Sequence, residues 1–79
     1  MGRIVLGSGQ RYSESVSTRG ILVDPSAGSW AVELQDSTGN TVFQAGAAAD
    51  APYYAQIETD ADALNMTTAT NITKVIIYI

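Results

Sequence analysis

The sequence predicts an all-β chain: a small antiparallel β-sandwich or partly open barrel of six to seven short strands. Three observations carry that expectation. Apolar residues recur with a period of two in several segments. Turn-forming clusters separate those segments at intervals of roughly 8–12 residues. The one alanine-rich stretch is bracketed too closely by Gly46 and Pro52 to hold a helix.

Residues 3–6 read as a first strand within a partly flexible N-terminal arm, residues 1–16, that also holds the Gly7-Ser8-Gly9 turn. Residues 13–18 are rich in hydroxyls around Val16 and suit an exposed or edge strand. Ile21-Leu22-Val23 is a short β-branched run, closed by a loop with Pro25 and Gly28 at turn-forming positions. Trp30, Val32 and Leu34 alternate with Ala31, Glu33 and Gln35, the pattern of a half-buried strand. Asp36-Ser37-Thr38-Gly39-Asn40 supplies a turn, and Thr41-Val42-Phe43-Gln44 resumes the strand pattern, so residues 30–45 form a hairpin. Tyr53, Ala55 and Ile57 alternate with Tyr54, Gln56 and Glu58 in a further strand. Residues 60–66 read as a loop with a short extended piece at 64–66, and residues 71–79 as the closing strand.

Seventy-nine residues make one domain, 1–79, with a thin core. Chains of this size commonly need a staple, yet there is no Cys for a disulfide and no His for a zinc site. Oligomerisation or docking onto a larger partner is the remaining device. The same absences remove the imidazole base, the thiolate nucleophile and the His-paired serine, so the chain is expected to be no enzyme. No cofactor or metal is expected. Four basic residues against eight acidic ones oppose binding to nucleic acid or to an anionic membrane. No secretory signal pattern is visible, and the apolar run at residues 75–79 is far below the roughly 18 residues that span a bilayer.

Individual motifs mostly favour bland readings. Gly7-x-Gly9 lacks the third glycine and the following helix of a dinucleotide fingerprint. Asp60-x-Asp62 opens like a calcium loop, but Leu64, Asn65 and Asn71 stand where the next ligand, the turn glycine and the bidentate Glu belong. Glu33 and Glu58 are the only pair to weigh as glycosidase carboxylates, and both fall on polar strand faces. Trp30 and Tyr53 suit core filling, whereas Tyr54 and Tyr78 oppose the better-buried face and suit an interface or a sugar-stacking platform.

The most informative segment is the last one. Val75, Ile76, Ile77, Tyr78 and Ile79 put apolar side chains on both faces of one strand, which a small sandwich with one wet face does not call for. Exposed, such a strand aggregates, so it is expected to be covered by a partner or by a second copy. The candidate interface residues are Val75, Ile76, Tyr78 and Ile79, with Tyr54 and the basic Arg3 and Arg11 near the start.

The succession Ser17-Thr18-Arg19-Gly20-Ile21-Leu22-Val23, Gly28-Ser29-Trp30-Ala31-Val32-Glu33-Leu34-Gln35-Asp36, Gly39-Asn40-Thr41-Val42-Phe43, Asp62-Ala63-Leu64-Asn65-Met66 and Ile72-Thr73-Lys74-Val75-Ile76-Ile77-Tyr78-Ile79 resembles small virion proteins of tailed bacteriophages. These include capsid decoration or cement proteins and related head or tail accessories. The resemblance spans roughly residues 17–79 and carries no catalytic motif. It implies a compact β-sandwich, often trimeric, at the surface of the phage head, bound to the major capsid protein or another virion protein. A tail, fibre or neck component is the second expectation, and a carbohydrate-binding module built on Trp30, Tyr53 or Tyr54 is the third.

Overall fold

The computed structural model describes residues 2–79. Its strands are β1 (Arg3–Gly7), β2 (Arg11–Tyr12), β3 (Val16–Thr18), β4 (Gly20–Pro25), β5 (Trp30–Gln35), β6 (Thr41–Ala47), β7 (Tyr53–Ala55), β8 (Thr59–Ala61), β9 (Leu64–Thr70) and β10 (Ile72–Tyr78). No helix occurs among the described residues. A first sheet runs β1-β10-β4-β7, a second runs β2-β9-β5-β6, and β3 with β8 makes a two-stranded ribbon. Every pairing is antiparallel.

The two sheets share one buried cluster, so the all-β sandwich expected from the alternation is the fold. Ile21, Val23, Val75 and Ile77 enter it from the first sheet; Trp30, Val32, Leu34 and Leu64 enter from the second. Each of these side chains is less than 2% exposed or at that limit, and burial of one such side chain stabilises by about 1.5–3 kcal/mol. The Trp30 ring meets the Tyr53 ring at 5.5 Å between centroids, tilted by 53°. Such a tilted arrangement suits the ring quadrupoles.

The hairpin at residues 30–45 forms as expected, extended to Ala47. Asp36 closes its turn: one carboxylate oxygen accepts from the Thr38 N–H at 2.9 Å and from the Asn40 N–H at 2.9 Å. Gly39 takes φ +86°, a conformation that a Cβ disfavours.

Elsewhere the strands outnumber the six to seven expected. The strand expected at 53–58 ends at Ala55 as β7 in the first sheet, and β8 begins only at Thr59, in the ribbon. Residues 60 and 61 belong to β8 rather than to a loop, and the extended piece expected at 64–66 is present but continues to Thr70 as the seven-residue β9, a central strand between β2 and β5. A bulge hid it: the register steps from Glu33↔Thr68 to Leu34↔Met66, leaving Thr67 unpaired. Leu64, Met66 and Ala69 therefore all face the core although their spacing breaks the period of two. In β10 the register steps past Thr73 in the same way, which turns Ile72, Val75 and Ile77 to one side. The stretch expected as an N-terminal arm contributes β1, paired with β10 along its whole length, and β2, paired with β9.

Candidate interaction surface

The inner residues of the first sheet fix its outer ones. Because successive side chains alternate faces, Ile4, Leu6, Ile21, Val23, Val75 and Ile77 in the core leave Val5, Leu22 and Ile76 on the other side. Cross-strand pairing then aligns a complete rung, Val5↔Ile76↔Leu22↔Tyr54, over all four strands. Val5 is 51% exposed and Tyr54 is 56% exposed. Ile76 is only 9% exposed because Val5 and Leu22 flank it. The neighbouring rungs are Arg3↔Tyr78↔Gly20 on one side and Gly7↔Lys74↔Asp24 on the other.

Tyr54 lies over a glycine. A Cβ built on Gly20 would lie 2.4 Å from the Tyr54 hydroxyl oxygen and 2.9 Å from its Cζ, so the ring lies across the bare Gly20 backbone. Its other neighbour is Tyr78, with ring centroids 6.2 Å apart and planes tilted by 59°. Beside the two rings lies an open cavity of about 370 Å³, lined by Arg19, Tyr54, Gln56, Glu58, Tyr78 and Ile79. Ile79, just past the end of β10, lines this cavity at the edge of the face, is 39% exposed, and exchanges backbone hydrogen bonds with Gly2.

The outer face of the second sheet is different in kind. Its rungs are Gly46↔Ala31↔Thr70, Gln44↔Glu33↔Thr68 and Thr41↔Gln35↔Asn65, small or polar throughout. Glu33 accepts hydrogen bonds from the Thr41 hydroxyl at 2.6 Å and the Gln35 amide at 3.0 Å. These bonds, Thr41 first, stabilise the carboxylate and hold its pKa below the ordinary value. Asp36 is shifted down by the Thr38 hydroxyl and the Asn40 and Thr38 N–H groups. Asp62 is shifted down by the Ser37 hydroxyl and N–H, which tie the 36–40 turn to the end of β8. That side chain is committed to Ser37, and the described residues contain no group of three or more acids placed to hold a cation. Glu33 stands on the second sheet and Glu58 follows β7 of the first, so they do not flank one cleft.

Of the residues singled out in the sequence, Arg3, Tyr54, Ile76, Tyr78 and Ile79 meet on the outer face of the first sheet or at its edge. Val75 is sealed in the core on the opposite side, and Arg11 lies in the second sheet, paired with Asn65. Val5, Gly20, Leu22, Asp24 and Lys74 complete the face and were not singled out. Their signal is the register: Val5 and Leu22 share a rung with Ile76, Gly20 shares one with Tyr78, and Lys74 and Asp24 form the next rung beyond Ile76. Comparison with protein families, with curated proteins and with solved structures finds no match to the chain.

Proposed function

We propose that this protein is a non-enzymatic structural component that acts by association, burying the outer face of its first sheet in a protein contact. The observation that supports this reading is the contrast between the two outer faces. One is polar and internally hydrogen-bonded; the other carries Val5, Ile76, Leu22, Tyr54 and Tyr78 together, with Ile79 at its edge. Contiguous exposed apolar surface on a small protein marks an interaction site. In its narrower form the proposal is a bacteriophage capsid decoration or cement protein. It would bind across major capsid subunits at the head surface and stabilise the shell by mass action. That narrower form draws on the resemblance of residues 17–79 alone. Mass spectrometry and cryo-electron microscopy of purified particles test it. Expected are stoichiometric copies with the outer face of the first sheet in contact; absence from particles would sink the virion reading.

A second reading follows from the tyrosine pair. Tyr54 and Tyr78 beside a cavity that also holds Arg19, Gln56 and Glu58 offer a stacking ring with polar partners, the elements of sugar recognition. A glycan array with Tyr54→Ala as control tests it, and a signal unaffected by that substitution would remove it.

A further inference from the structure

We propose that the occupant of this outer face is a second copy of the same chain, packed face to face about a two-fold axis parallel to the strands between β10 and β4. The inference rests on the association reading and names its partner.

Charge placement singles out this arrangement. Lys74, the only lysine, and Asp24 are paired Cα partners on β10 and β4, so both point out of the same face at one end of the apolar rung. A two-fold axis along the strands and between β10 and β4 exchanges those two strands across the interface. Lys74 of each copy then lies over Asp24 of the other, and the four charges alternate in sign. The same operation sets Ile76 over Leu22 and Val5 over Tyr54, so the apolar rung meets itself. It also carries β1 over β7, bringing Arg3 towards the end of the face where Glu58 lines the cavity. The alternative two-fold, across the strands and through the apolar rung, sets Lys74 over Tyr78 and Asp24 over Gly20, so neither charge lies directly over an opposite one; Arg3 shares that rung but stands on β1, two strands away from the position that Asp24 covers. Like-sign and unpaired charges at an interface are costly, and complementary ones fix register.

The footprint sets the strength. Four strands about 4.8 Å apart and five residues of about 3.4 Å each give a face of roughly 320 Å² per copy. Standard stable interfaces bury about 800 Å² per partner. The dimer is therefore reversible, with a Kd of roughly tens to hundreds of micromolar.

Sedimentation velocity of the full chain between about 1 µM and about 1 mM tests this. Wild type is expected to pass from monomer to dimer and no further. Lys74→Asp alone and Asp24→Lys alone each turn two attractive contacts into repulsive ones, and each is expected to weaken self-association by about tenfold. An equimolar mixture of the two variants restores pairing: in the mixed dimer the two substituted residues face each other in one place, and the native Asp24 of the first copy faces the native Lys74 of the second in the other. Changes within a single chain are the same in the mixture as in the separate samples, so rescue reports contact between chains. Circular dichroism confirms that each variant is folded. A mixture no tighter than its components overturns the two-fold arrangement, and so does a trimer; either leaves association itself standing. A chain monomeric at about 1 mM overturns the self-pairing inference, while particle composition still decides the broader function.

Discussion

Ile76 and Ile77 are consecutive on β10, yet substitution of each to Ala is expected to act through a different free energy. Ile77 is fully buried between the sheets, whereas Ile76 lies on the outer face and owes its cover to Val5 and Leu22. Either change removes three carbons, a transfer loss of about 2.4 kcal/mol at about 0.8 kcal/mol each. At Ile77 the sheets also close around a void, which brings the total to about 4 kcal/mol. At Ile76 the gap opens to water, no cavity term arises, and the loss is about 2 kcal/mol. For 79 residues, each 1 kcal/mol moves the Tm by about 6 °C, so the expected falls are about 24 °C and about 12 °C. Calorimetry or thermal circular dichroism at low micromolar concentration, where the chain is monomeric, measures both. Ile77→Val, expected to cost about 1 kcal/mol, covers the case in which Ile77→Ala does not fold. Concentration separates the two further. Association at ten times Kd adds about 1.4 kcal/mol, or about 8 °C, to the wild-type Tm. Ile76→Ala removes that rise and Ile77→Val keeps it. Equal losses for the two alanine variants in dilute solution would refute the assignment of Ile76 to a solvent-facing side.

Other expectations follow from single contacts. Asp36, Asp62 and Glu33 all have folded pKa values below their ordinary ones, so their contribution is present in full above about pH 4.5 and lost as pH falls through the folded values. Asp62→Asn should therefore lower the urea midpoint at pH 7, with the gap from wild type closing in acid; a gap independent of pH would contradict the hydrogen-bonded carboxylate. Gly20→Ala should change the Tm by less than about 6 °C, because the Tyr54 ring is exposed and swings away, but near-ultraviolet circular dichroism should report loss of the Tyr54–Tyr78 contact. A large Tm loss would show that the ring cannot move. Asn71 links β9 to β10 at φ +53°, and its amide donates to the Gly28 and Ser29 carbonyls at 3.0 and 3.3 Å. Asn71→Ala should cost about 2–3 kcal/mol from backbone strain and the lost bonds, and Asn71→Gly less, since Gly accepts that backbone. The reverse order in chemical denaturation would rule out strain as the cause.

Where the chain keeps an unbroken period of two, the fold was legible. The alternation of Trp30, Val32 and Leu34 specified both the strand and its inward side, and Asp36 to Asn40 specified the turn. Where a bulge shifts the phase, it was not. Thr67 and Thr73 each interrupt a strand by one residue, and a strand whose inward residues are 64, 66 and 69 has no single period to find. The candidate surface was half legible for a related reason. Apolar residues on both faces of β10 announced that Ile76 and Tyr78 needed cover, but which residues stand beside them depends on pairing across strands far apart in the chain. Val5 reaches Ile76 and Lys74 reaches Asp24 only through register, a long-range property that local pattern does not encode.

Register also changes what the missing staple means. A chain without disulfide or metal needs association to fold only if its core is incomplete. Here the inner core is closed: eight large side chains from both sheets are all but inaccessible, and the accessible area of 4388 Å² lies close to the roughly 4,600 Å² expected of a free-standing globule of this size. Folding is thus satisfied inside a single copy, and the apolar material left over lies on the outer face of the first sheet, where removing it costs less in dilute solution than removing the inner core. A face of that kind makes a reversible contact between folded chains rather than an obligate one. Its specificity must then come from the charges at its margin, since a row of aliphatic and aromatic side chains accepts many registers and the Lys74–Asp24 rung accepts one.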